Sequence, residues 1–168
     1  MPSALGTTGF VKKFFLAIIA VAVAAPSGRL VQPARTEGQK ISACSLLTRE
    51  EVKKLVPWSA LVDQIKTEED PLSNGSSCTY PNTIVQVLSQ SAWRSFIDIM
   101  RKGNNPESVA GVGDEAYIRD NRHEWAELVA KVGTHVLTIQ HDLNEGETLQ
   151  AAKPRVVALA KAFAAKLH

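Results

Sequence analysis

Residues 125–142 read WAELVAKVGTHVLTIQHD, and this stretch decides the fold class. Leu128, Ala130 and Val132 fall on one face of a first strand, Trp125 to Val132. Leu137 and Ile139 share one face of a second, His135 to Asp142, and Gly133-Thr134 joins the two. Side chains alternate between the two faces of a strand, so this spacing describes a hairpin with a buried face. A link this short allows only an antiparallel pair.

Working outward, Glu115 to Arg119 is a further strand, separated by the Asp120-Asn121-Arg122 turn. Before it runs a loop from Asn104 that ends in Gly111-Val112-Gly113. Trp93, Phe96, Ile97 and Met100 follow i, i+3, i+4, i+7 spacing, which predicts a helix over Ser91–Lys102 that Gly103 ends. Ser77–Tyr80 and Ile84–Ser89 flank Pro81-Asn82 and read as a second hairpin. The stretch from Asp70 to Ser76 is rich in turn formers, and Leu61–Thr67 is a candidate strand. Thr48 and Glu51 have the spacing of a capping box, opening a short helix that stops before Pro57. The last helix carries Leu149, Val156, Ala160, Phe163 and Leu167 on one side, with Pro154 near its start. The expected order is α-β-β-β-α-β-β-β-α. That is an α+β domain: a curved antiparallel sheet of about five to six strands packed on one side against two to three helices.

The 168 residues suit one domain. Lys12-Lys13 followed by the unbroken apolar run Phe14–Ala25 has the form of a signal peptide, with Ala22 and Ala24 placing the cut after residue 24. The run reaches about 18 Å as a helix, short of a hydrocarbon core about 30 Å thick. Residues 1–24 are therefore expected to be a signal peptide, 25–42 a disordered linker and 43–168 the single domain. The localisation this implies is periplasmic or extracellular, without a lipid anchor. The membrane would be met only through an uncleaved signal segment. The 19 basic side chains less Lys12 and Lys13 leave 17, equal to the 17 acidic ones. A neutral domain has no summed field to hold a polyanion, so nucleic acid is not an expected partner. Cys44 and Cys78 are the only cysteines, and in an exported chain an even count reads as a disulfide.

Candidate chemistry is sparse. His135 and His141 share a strand face but lie about 20 Å apart, too far for one metal ion, and the histidines read as solvated groups at strand ends. Asp114 and Glu115 are adjacent on a strand and point to opposite faces, while Glu68-Glu69-Asp70 reads as a solvated loop. No metal and no cofactor is expected, and no catalytic residue is assigned. If a small ligand binds, the candidate site is Gly111, Gly113 and Asp114 with Trp125 as an apolar wall. Glycines there would let backbone N–H groups face a ligand, and Asp114 would anchor it.

The strings CSLLTREEV (44–52), SSCTY (76–80), GVGDEAYI (111–118), LVAKVGTHVLTIQ (128–140) and VVALAKAFAAKL (156–167) together resemble a family of small exported bacterial domains. These are known mainly as envelope lipoproteins and secreted proteins of unknown function, similar to the PsbP-like α/β sandwich. The resemblance spans about Cys44 to Leu167 and implies a Cys44–Cys78 bridge, a curved antiparallel sheet backed by helices, and no transferable active site. Unlike the lipoprotein members, this chain has no lipobox cysteine. The expected function is a non-enzymatic binding or accessory module of the cell envelope, whose partner is a small ligand or an envelope protein. The alternatives are a structural envelope protein held by protein partners and, third, a hydrolytic enzyme with an unrecognised site.

Overall fold

The computed structural model of the chain describes residues 41–60, 62–102, 106–121 and 124–168. The expected signal peptide and most of the expected linker lie outside these residues. Ile41 packs against the core, and Ser42 caps a 3₁₀ turn at Ala43–Ser45 by accepting from the Ser45 N–H. The Cys44–Cys78 disulfide is present and ties this turn to the sheet. In the chain-entropy account a loop of this length stabilises by roughly 3–4 kcal/mol.

Helix α1 (Arg49–Leu55) opens with the expected capping box: the Thr48 hydroxyl accepts from the Glu51 N–H and the Glu51 carboxylate accepts from the Thr48 N–H. That second bond is the leading reason the Glu51 carboxyl titrates below its ordinary range. Strands β1 (Glu68–Leu72), β2 (Gly75–Tyr80) and β3 (Thr83–Ser89) form one antiparallel meander. Helix α2 (Trp93–Lys102) follows. Strands β4 (Glu107–Ser108), β5 (Glu115–Asn121), β6 (Trp125–Val132) and β7 (His135–Asp142) form a second meander, and helix α3 (Leu149–Leu167) closes the chain. The meanders join where β3 pairs with β7, giving one seven-stranded antiparallel sheet in the order β1-β2-β3-β7-β6-β5-β4. The class is the expected α+β.

Two of the seven strands were not expected, and one expected strand is absent. β1 reads EEDPL; it is an edge strand with no apolar alternation, and its proline needs no ladder partner on the outer side. β4 is a two-residue edge inside the stretch read as a loop. In place of the candidate strand at Leu61–Thr67 there is a 3₁₀ turn at Val62–Gln64. Here Asp63 accepts from the Trp58 indole N–H and Lys53, and Arg49 donates to Asp63 and to the Ile65 carbonyl. Arg49 and Lys53 also lie over the Trp58 ring. A short polar segment is thus held by side chains rather than by a ladder.

The helices do not all lie on one side of the sheet. Cross-strand register sorts the residues: Cys78, Val85, Ile139, Leu128 and Ile118 form one row on the first face. That face carries the main core with Val52 of α1 and Val156, Leu159, Ala160 and Phe163 of α3. Leu88, Val129 and Val136 lie on the second face, where Met100 of α2 completes a separate small cluster. Topology gives the reason. β3 and β4 are separated in the sheet by β7, β6 and β5, so the connection between them must cross these three strands. α2 is that crossing, and it occupies the face that α3 leaves free.

Candidate functional site

The glycine-rich approach to β5 is a folded turn against the end of the β6–β7 hairpin. Gly111 and Gly113 have φ of 76° and 57°, the left-handed region that glycine tolerates. A Cβ on Gly113 would stand 2.2 Å from the Lys131 carbonyl oxygen. The Asp114 N–H donates to that same carbonyl at 2.8 Å, and the Asp114 carboxylate accepts from the Gly133 N–H at 3.0 Å. Asp114 therefore fastens one turn to another. Trp125 sits at the opposite end of β6, six residues from Lys131, which is about 20 Å along a strand. The expected site is not assembled: the structure does not bring Trp125 to Gly111, Gly113 and Asp114.

Trp125 instead belongs to the part of the second sheet face that extends beyond the small α2 cluster. Alternation places Thr79, Ile84, Gln140, Glu127 and Arg119 in one cross-strand row on this face, and Trp125 in the next row beside Asn121 and Asp142. Gln86 and Thr138 lie one row closer to α2, joined by a hydrogen bond from the Thr138 hydroxyl to Gln86 Oε1 at 3.2 Å. Arg119 and Glu127 form an ion pair at 2.6 Å with side chains only 11% and 7% exposed. Arg119 also donates to the Ile99 carbonyl of α2 at 3.0 Å, so the guanidinium meets both the sheet and the helix end. The Trp125 indole nitrogen is buried and has no hydrogen-bond partner among the described residues. A buried donor without an acceptor costs roughly 1–3 kcal/mol.

The Arg119–Glu127 pair was not singled out from the sequence, although a signal exists. Glu127 is the one acid in β6, and a buried carboxylate needs a partner. Its partner becomes visible only with the register that sets Arg119 opposite it.

The remaining titratable groups are placed as follows. Asp114 is engaged with Gly133, and Glu115 accepts from the Tyr117 hydroxyl, so the adjacent acids do not converge. Glu68, Glu69 and Asp70 are exposed, but on strand β1 rather than in a loop. His123 lies outside the described residues, His135 is half-buried and His168 exposed. His141 is 1% exposed, not solvated, because its strand face is covered by the α3 side of the core. Among the described residues no three His, Cys, Asp or Glu side chains gather closely enough to hold a metal ion. No described helix is long and apolar enough to cross a membrane.

No family model, no curated protein and no solved structure matches the chain.

Proposed function

We propose that the chain is an exported, non-enzymatic binding or accessory module of the cell envelope. Its contact surface is the second sheet face beyond α2, around Trp125. The observation that carries this reading is the buried indole N–H of Trp125, without a partner among the described residues, beside the Arg119–Glu127 pair. An aromatic wall, a lone donor and a mixed amide, hydroxyl and charged row have the make-up of a ligand- or partner-binding surface. The disulfide is consistent with an oxidising compartment and so supports export.

The test is native mass spectrometry of the protein purified from its own envelope fraction, as wild type and as Trp125→Phe. Phenylalanine keeps an aromatic ring and removes only the unpaired donor and the second ring. The wild type should retain a small molecule or a partner chain that Trp125→Phe loses, with the thermal midpoints of the two within a degree or two. A species retained equally by both, or none on either, would refute this surface.

A further inference from the structure

His141 closes β7 on the first face of the sheet, in the row of Thr83 and Ala126. Its Nδ1 lies 2.9 Å from the Thr83 hydroxyl, and the Arg155 Nε–H of α3 points at its Nε2 at 3.0 Å. Arginine can only donate, so Nε2 must be the bare, accepting nitrogen. The proton is therefore on Nδ1 and is donated to Thr83, whose hydroxyl in turn donates to Asn82 Oδ1 at 3.1 Å. Arg155 is committed on its far side as well: its two terminal nitrogens hold both oxygens of Glu147. Glu147 also accepts from the backbone and side chain of Asn144 at 3.1 and 3.0 Å. One arginine thus ties the end of β7 to the 143–148 connection and the start of α3, and that tie requires a neutral imidazole.

We propose that His141, Arg155 and Glu147 form an acid-opened latch that holds the 143–148 connection and the first turns of α3 onto the end of the sheet. A proton on Nε2 would set an N–H against the Arg155 N–H, donor against donor and cation against cation. The groups facing the imidazole offer little to offset this. Thr83 and Asn82 come from β3 and the turn before it, and Ala126 comes from β6. Glu147 is the nearest acid and is already paired with Arg155. Asp120 of β5 lies in the same row beyond Ala126, and Asp142, the next residue along β7, points to the other face. A protonated His141 is accommodated by releasing Arg155, and with it Glu147 and the connection.

Burial, and then the Arg155 charge, push the His141 pKa down to about 4. In the open latch the imidazole returns toward its ordinary value near 6.5. The open form binds the extra proton throughout the interval between these values. The latch is therefore fully closed above about pH 6.5 and weakens as the pH falls toward 4. The closed-to-open ratio should drop on the order of a hundredfold across that window.

Native-state hydrogen exchange of the full chain between pH 7.5 and 4, corrected for intrinsic exchange rates, tests this. Two variants accompany the wild type: Arg155→Met keeps the side-chain stem and removes the cation, and His141→Gln keeps an acceptor for Arg155 and cannot titrate. In the wild type, protection at residues 143–156 should fall about a hundredfold while β6 holds its protection. In His141→Gln the fall should be less than tenfold, whereas Arg155→Met, which keeps the buried imidazole but lacks the tie, should start from lower protection at pH 7.5 and fall less than the wild type. NMR titration of the wild-type imidazole gives a readout that does not depend on the variants folding. His141 titrating near 6.5, an equal loss of protection in wild type and variants, or a loss spread evenly over the sheet would overturn the latch.

Discussion

The two faces of the sheet are built from the same strands and held in different ways. On the first face, α1 and α3 bury Val52, Val156, Leu159, Ala160 and Phe163 against rows of Val, Leu and Ile, with the disulfide at the margin. On the second, α2 covers Leu88, Val129 and Val136 with Met100, and Trp93 and Phe96 are only partly buried. The rest of the second face is mostly polar: Gln86 on Thr138, Arg119 on Glu127, and an indole donor with no partner among the described residues. Apolar burial contributes in proportion to area, so stability is concentrated on the α3 side. A domain can concentrate its apolar burial on one face of its sheet.

Three substitutions would break or sharpen this contrast, in descending order of effect. Phe163→Ala removes a fully buried ring from the main core and should cost about 3–5 kcal/mol in denaturant titration. Val129→Ala, equally buried but in the small cluster, should cost about 2 kcal/mol, because fewer neighbours surround the void and α2 can settle into it. If Val129→Ala proved as costly as Phe163→Ala, the second face would have to be counted as core. Trp125→Phe should change stability by less than about 1 kcal/mol, because no hydrogen bond is lost.

Much of this architecture is legible in the residues, and the gaps have physical causes. The Trp125–Asp142 hairpin, the Pro81-Asn82 hairpin, the capping box at Thr48 and the final helix are all local patterns, and each appears where its period or cap places it. β1 and β4 are edge strands that bury little, so alternation gives no sign of them. The side on which α2 packs depends on strand order, which is not local: β3 and β4 are neighbours along the chain and far apart in the sheet. Trp125 is kept apart from the glycine turn for the same reason. Asp114 and Trp125 are close in sequence, yet the antiparallel pairing of β5 with β6 sends them to opposite ends. The Arg119–Glu127 pair and the His141–Arg155 contact likewise exist only once register and the docking of α3 are given.

The unequal faces are tested most directly by native-state hydrogen exchange at neutral pH under increasing denaturant. Amides in the middle of α3 and in β6 and β7 should exchange only through global unfolding, with a steep dependence on denaturant. Amides of α2 should exchange through a local opening at least a few kcal/mol lower in free energy and nearly independent of denaturant, the sheet remaining intact. A single isotherm shared by α2 and α3 would contradict the division, because it would mean that the two faces fold and unfold as one unit.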